Sequence, residues 1–270
     1  MHVLRLVLVG IAIGLAIILG VRFIGNPIGT IQTAVKREAA PPPAAVSLSA
    51  EQARSAVEAR LRAASEYTRF FKTAEAEFPN DYERVIANFA ARAQSGGVQS
   101  PDIYIAELLR SLRQSHGMLA SRASVGMIER VFEYQARIIN TLAQSEPQLC
   151  ADFLYGNAPQ GFFQFSEKNR PLIAAMAEAG IEAILDGRSL AIDRAPPSDE
   201  DFTNLEAELD KKGLGKPEIE ALLDGKTPEP PLSDATMCRA GILYFETLHN
   251  LPQDSRLKIY ALTIKLLTRG

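Results

Sequence analysis

The segment SVGMIERVFEYQARIINTLAQ, residues 124–144, has the clearest periodicity in the chain and indicates the fold class. Met127, Val131, Tyr134, Ile138 and Leu142 recur every three or four residues, the spacing that lines side chains along one face of an α-helix. Charged side chains fill positions between them. The segment is therefore predicted to form an amphipathic helix with one buried stripe.

Helix signals continue on both sides of this segment. Ser49 with Gln52 resembles a capping box, and Ser100-Pro101-Asp102 combines a cap, a first-turn proline and an acid at the positive end of a helix. Ser198 and Ser233 are predicted to cap two later helices. No alternating run is long enough to indicate a strand, so residues 48–270 are predicted to form an all-α domain of about eight helices.

Two of these predicted helices have specific boundaries. Apolar spacing predicts one continuous helix from Ser49 to the residue before Pro79. A second is predicted from about Ser166 to Leu185, ending at Gly187, with residues 161–165 forming a loop before it.

The N-terminal segment, residues 1–25, is predicted to be a membrane anchor. From Leu6 to Val21 no side chain is charged or polar, and Arg5 and Arg22 bracket the run. Residues 3–24, at about 1.5 Å per residue, are long enough to cross a hydrocarbon core of about 30 Å. A cleaved signal is the alternative, but no small-x-small pair follows the run at the right distance. The sequence therefore favours an uncleaved single-pass helix in the inner (cytoplasmic) membrane.

Orientation follows from the basic residues on each side of the anchor. The α-amino group and Arg5 precede it, whereas Arg22 and the more distant Lys36 and Arg37 follow it. A very short N-terminus with one basic residue favours export of the large domain to the periplasm. The opposite orientation would make the domain a cytosol-facing adaptor.

Residues 26–47 are predicted to be a proline-rich tether between anchor and domain. Pro41, Pro42 and Pro43 are consecutive and favour polyproline II, which makes a semi-rigid spacer. A proline run can also be a ligand for an aromatic groove. The spacer is the preferred interpretation.

The charge distribution argues against nucleic acid as a partner. Four of the 29 basic residues and one of the 32 acidic residues lie in the first 40, which leaves 25 and 31, a net charge of −6. Binding to phosphate backbones depends on clustered Lys and Arg. We therefore expect the membrane, through residues 3–24, and another protein as partners.

Cys150 and Cys238 are the only cysteines in the chain. They could form a disulfide in an oxidising compartment and would stay reduced in a cytosol. Both fall early in predicted helices, where the thiol pKa can be lowered, so a reactive thiol is an alternative, as is a pair of buried thiols. The disulfide is the favoured prediction.

Phe162, Phe163 and Phe165 form the most unusual stretch. Three aromatic side chains in a predicted loop could dock a partner or a lipid, because aromatic residues dominate interface hot spots. They could equally fold back onto the core.

No motif of the sequence predicts a catalytic, cofactor-binding or metal-ligating residue. The histidines are isolated, and Gly213-Leu214-Gly215-Lys216 lacks the upstream glycine and the hydroxyl of a phosphate-binding loop. The first hypothesis is a non-enzymatic interaction or scaffold protein of the cell envelope. The second is a helical enzyme or small-ligand-binding domain whose site residues are scattered along the chain.

Overall fold

The computed structural model describes residues 48–155 and 160–268, and the regular secondary structure within these ranges is helical throughout. The all-α prediction is confirmed. One 3₁₀ turn, Ser65–Tyr67, follows the first helix. The twelve α-helices of these two ranges are α1 Ala50–Ala63, α2 Thr68–Glu77, α3 Pro79–Gly96, α4 Pro101–Ala120, α5 Val125–Ser145, α6 Pro147–Leu154, α7 Gln160–Lys168, α8 Arg170–Leu190, α9 Asp199–Lys211, α10 Lys216–Asp224, α11 Asp234–Asn250 and α12 Gln253–Leu267.

Three long helices form the centre of the domain. α8 packs against both α4 and α5, and the other helices surround this trio. α1 and α2 lie on α3, α6 and α5 pack against α11, and α12 contacts α4 and α5. α9 and α10 extend this arrangement from α11.

The predicted stripe of residues 124–144 lies on α5, as expected, but the buried face is wider. Val131, Ile138 and Leu142 are buried, whereas Met127 and Tyr134 are half-buried. Phe132 and its neighbours on the same face enter the core as well. The buried face is wide because α5 contacts α8, α11 and α12 from different directions.

The prediction of about eight helices was wrong, and two helix breaks illustrate the reason. The predicted helix from Ser49 ends at Ala63, because the following turn carries Tyr67 into the core, where its hydroxyl binds Asp102. The segment 160–168, predicted in part as a loop, is the separate helix α7. Asn169 separates α7 from α8. One continuous helix does not form here because Pro171 has no N–H with which to continue it.

The predicted caps are confirmed. Gln52 N–H donates to the Ser49 hydroxyl oxygen at 3.2 Å, and the Gln52 side chain accepts from Ser49 N–H at 3.0 Å, which completes the capping box. Ser100, Ser198 and Ser233 cap α4, α9 and α11 in the same way, each accepting a backbone N–H of the first turn.

A buried carboxylate joins three parts of the domain. Asp102, in the first turn of α4, is 2% exposed and accepts a hydrogen bond of 2.6 Å from the Tyr67 hydroxyl. The Ser100 hydroxyl donates at 2.6 Å, and the Arg170 guanidinium donates from the start of α8 at 2.9 Å. This network fixes the 3₁₀ turn and the N-terminal ends of α4 and α8 together.

The predicted anchor, residues 1–25, and the predicted tether, residues 26–47, lie outside the described residues. None of the helices within residues 48–155 and 160–268 combines the length and the hydropathy that a membrane span requires.

Candidate functional site

A solvent-open groove runs between α3 and α4. The two helices are antiparallel, joined by the short loop 97–100, and pack side by side. Lining positions on each helix are separated by three or four residues, so each helix presents one face to the groove. The groove has a volume of about 130 Å³ and is lined by Arg84, Val85, Asn88, Phe89, Arg92, Glu107, Arg110, Ser111 and Gln114.

Three arginines line this groove together with one acid, Glu107, and a second acid, Asp81, pairs with Arg84 at one end. Arg110 Nη1 lies 2.7 Å from Glu107 Oε2, and Arg92 Nη2 lies 3.8 Å from Glu107 Oε1. The side chains of Arg84 and Arg92 are 57% and 49% exposed. Three guanidinium groups against the carboxylates of Glu107 and Asp81 leave the rim with one net positive charge, and the guanidinium groups of Arg84 and Arg92 face water.

The floor of the groove is apolar. Val85 and Phe89 are buried there, and the Phe89 ring packs edge-on against Tyr104 with centroids 4.2 Å apart. The Arg92 guanidinium lies over the Phe89 ring, 5.2 Å from its centroid. This stacking holds the Arg92 side chain across the groove while its exposed edges remain able to donate hydrogen bonds.

Asp81, in the first turn of α3, is the centre of a polar cluster at one end of the groove. Its Oδ1 accepts from the hydroxyls of Ser111 and Ser115 at 2.7 and 3.1 Å, and also from Arg84 Nη2. His116 Nε2 lies 2.9 Å from Asp81 Oδ2. Asp81 is only 6% exposed, so this cluster orients Arg84 from beneath the surface.

These contacts determine the charge state of Asp81. Burial alone would raise the pKa of its carboxyl group, but the hydrogen bonds from Ser111, His116 and Ser115 outweigh burial and hold the pKa below its usual range. The carboxylate is therefore ionised at neutral pH and electrostatically stabilises the Arg84 guanidinium.

The cluster does not have the arrangement of a hydrolytic triad. In such a triad the imidazole lies between the hydroxyl and the carboxylate and removes the hydroxyl proton. Here the hydroxyls of Ser111 and Ser115 donate to Asp81, as the contacts above show. The Phe78 ring packs on His116 with centroids 4.7 Å apart and covers one face of the imidazole. The arrangement suits the positioning of a cation and the binding of an anion.

Cys150 and Cys238 come together at disulfide distance, as predicted. They lie on α6 and α11, and their Cα atoms are 5.5 Å apart. Cys150 is fully buried and Cys238 is 3% exposed. The pair joins two helices inside the core. Its burial argues against a role as a solvent-exposed nucleophile.

The three phenylalanines lie on α7. Phe162 and Phe165 are buried, with ring centroids 5.7 Å apart, and Phe162 stacks on Phe153 of α6. Only Phe163 is partly exposed. Docking of a partner by these aromatic side chains stays a prediction.

Sequence reasoning missed the residues of the groove. The signal was present in the helical spacing of Arg84, Asn88 and Arg92 and of Glu107, Arg110 and Gln114. This spacing is not specific for a binding groove, because charged positions at this spacing usually form a solvated helix face. Asp81 resembled an ordinary first-turn acid that complements the helix dipole.

Within the described ranges, no group of three or more His, Cys, Asp and Glu side chains is arranged to hold a metal ion. Comparisons with protein families, with curated proteins and with solved structures find no match to this chain.

Proposed function

We propose that this chain is a membrane-anchored protein of the cell envelope whose helical domain faces the periplasm and binds an acidic segment of another protein in the α3–α4 groove. The anchoring part rests on the uncharged run from Leu6 to Val21. The observation that carries the binding part is the cationic rim of the groove, in a chain whose net charge is −3.

The chemistry of the groove favours carboxylates. Arginine guanidinium groups bind carboxylates through paired, charge-assisted hydrogen bonds. Arg84 is already oriented by Asp81, so little side-chain freedom is lost when a ligand binds to its exposed edge. Arg92 is separated from Glu107 by 3.8 Å, a loose pairing that an incoming carboxylate can replace.

The dimensions of the groove favour part of a protein over a whole small molecule. Ligand pockets usually enclose about 300–1,000 Å³. A groove of about 130 Å³ accommodates one or two side chains of a longer segment. The apolar floor at Val85 and Phe89 suits an acidic segment that also presents a small apolar side chain.

The cysteine pair supports the export part of the proposal. Disulfides persist in oxidising compartments and are uncommon in the bacterial cytosol. The pairing of Cys150 with Cys238 is therefore consistent with a domain that faces the periplasm.

Photo-cross-linking in intact cells tests the proposal. Asn88, on the rim of the groove, is replaced by a photoreactive phenylalanine analogue, and Asn140 on α5, also exposed, serves as the control position. We expect one reproducible cross-linked protein at position 88 and none of that mass at position 140. The Arg84→Gln/Arg92→Gln variant should lose the product, whereas Arg137→Gln, 58% exposed on α5, should keep it. The same product in all variants would contradict the proposal.

A second candidate function is the binding of a small anion at the same groove. The convergence of three guanidinium groups favours it, since these donors also suit a phosphate-sized ion. Calorimetric titration with inorganic phosphate separates the two. Saturable binding of phosphate that Arg84→Gln/Arg92→Gln abolishes, together with no cross-linked protein, would favour the small anion.

A further inference from the structure

Large apolar side chains are exposed at few places on the described part of the domain, and three of the four lie on segments that meet at one corner. Met118, Leu190 and Ile192 are 38%, 53% and 38% exposed. Tyr155, at the end of α6, is 48% exposed and lies elsewhere, near Asp234 at the start of α11. Single exposed apolar residues are ordinary, but three together mark a surface that is a candidate for contact.

The corner is built where α4 and α8 end. Residues Ala191–Arg194, which we name the strap, cross the end of α4. Ile192 N–H donates to the Arg122 carbonyl at 2.9 Å, and Arg194 donates to the carbonyls of Ser121 and Ala123 at 3.1 and 2.6 Å. Met118 lies in the last turn of α4, one helical turn before the Arg122 carbonyl that the strap binds.

Contacts link the first helix of the domain to this corner. Arg54, in the second turn of α1, forms a two-bond ion pair with Glu83 of α3 at 2.8 and 2.9 Å. The start of α3 contacts the end of α4 through Asp81 and His116. Arg188, in the last turn of α8, lies over the Phe78 ring, 5.4 Å from its centroid. A continuous series of contacts therefore joins the first turns of α1, which follow the predicted tether, to the apolar corner.

We infer that the apolar corner of Met118, Leu190 and Ile192 rests on the interfacial region of the lipid bilayer in which the chain is anchored. This inference rests on the anchoring part of the proposed function. The predicted tether, residues 26–47, spans about 25 Å as a flexible coil and about 70 Å as polyproline II. The bilayer surface is within that reach, and tethering raises its effective concentration at the corner.

The contact is apolar in character. Arg122 lies 3.1 Å from Asp193 and Arg188 is paired with Glu77, so two of the three cations of the corner are already neutralised. The third, Arg194, directs its guanidinium group to the carbonyls of Ser121 and Ala123. Contact with the boundary between headgroups and acyl chains then comes from buried apolar area and requires no anionic lipid. It should persist at high ionic strength, where electrostatic attraction to a charged surface is screened.

The chain has no tryptophan, so a single introduced indole reports its own surroundings. Leu190→Trp places the reporter in the corner, and Tyr155→Trp places a matched reporter on another exposed apolar position. Each full-length variant is reconstituted in phosphatidylcholine vesicles, with or without phosphatidylcholine brominated near the headgroup. We expect brominated lipid to quench Leu190→Trp at least twofold more than Tyr155→Trp, with no change in 0.5 M NaCl. Adding Met118→Ser and Ile192→Ser should remove the difference.

Equal quenching of the two reporters by brominated lipid would overturn the inference, as would stronger quenching of Leu190→Trp by acrylamide in water than by the lipid. Vesicle flotation of the same samples separates this failure from failure of the anchor. A chain that does not float with vesicles contradicts the anchor on which both proposals depend. A chain that floats with equal quenching contradicts the corner contact alone.

Discussion

At the scale of single residues, Asp102 holds the 3₁₀ turn and the starts of α4 and α8 together, and its carboxyl group makes the stability of the domain depend on pH. Burial alone would raise the pKa of its carboxyl group, but hydrogen bonds from Arg170, Ser100 and Tyr67 outweigh burial and hold the pKa below the usual range. A carboxyl group with a depressed pKa in the folded state contributes stability above its unfolded pKa of about 4. That contribution is lost as the pH falls through the folded pKa.

Asp102→Asn should therefore lower the free energy of unfolding at pH 7 by about 2–3 kcal/mol, because Arg170 and Tyr67 lose a charged acceptor in a largely buried site. The difference in unfolding free energy between the variant and the native chain should narrow as the pH falls from about 4 towards 3, because protonation of this carboxyl group then favours the unfolded native chain. Urea unfolding at both pH values measures the two effects. Asp193→Asn, whose side chain is 87% exposed, serves as the control and should change stability by less than about 0.5 kcal/mol. A constant gap at both pH values would contradict this account.

The sequence did not predict the role of Asp102. It identified Ser100-Pro101-Asp102 as a helix start, which the structure confirms. The partners Tyr67 and Arg170 are separated from Asp102 by 35 and 68 residues. Local signals cannot specify such a pairing, because it depends on how α4 and α8 pack.

At the scale of helices, Gly187 sets how closely α8 approaches α4. A Cβ atom at this position would overlap the Leu119 carbonyl oxygen and would lie 2.7 Å from the Leu119 carbonyl carbon. Both are backbone atoms, which cannot move aside by a change of rotamer. The close contact of these two central helices therefore requires glycine.

Gly187→Ala should lower the free energy of unfolding by about 3 kcal/mol, since the two helices must separate to admit the methyl group. Gly126→Ala, in the first turn of α5 with nothing within 4 Å of the added Cβ, is the matched control and should leave stability unchanged or slightly higher. Thermal unfolding monitored by circular dichroism compares them. Equal stability of the two variants would contradict this prediction, because α8 could then move away from α4 without lowering the free energy of unfolding.

Gly187 also illustrates where helix prediction from sequence fails. Glycine after an apolar run usually marks a helix end, so α8 was predicted to end there. In the structure α8 continues to Leu190, and Ala191 adopts the left-handed conformation with φ of 50°. Caps were predicted correctly because they depend on neighbours within three residues. Gly187 depends on Leu119, which another helix supplies.

At the scale of the whole molecule, the cysteine pair encloses a large part of the domain. Cys150 and Cys238 are separated by 88 residues, and α7 to α10 lie between them. The sequence predicted the pairing from the number of cysteines. It could not predict the α3–α4 groove, whose rim combines side chains from two helices that only the fold brings together.

Reduction of the pair should lower the free energy of unfolding by roughly 4–5 kcal/mol, from the loop-closure entropy of an 88-residue separation. Urea unfolding with and without a reductant measures the change. Cys150→Ala/Cys238→Ala should match the reduced chain and not respond to the reductant.

In cells, blocking free thiols before reduction shows whether the pair is oxidised, and therefore which compartment the domain faces. Labelling only after reduction supports export, and immediate labelling of both thiols would favour the cytosol-facing adaptor.

The strap has a consequence for the order in which the chain acquires its structure. Arg194 follows Ser121 by 73 residues and Ala123 by 71. At ~5–20 residues per second, a ribosome makes the end of α4 roughly 4–15 seconds before the side chain that caps it. Water must solvate those carbonyls during that interval. The α3–α4 hairpin of a nascent chain therefore reaches its final form only after α8 and the strap have been synthesised.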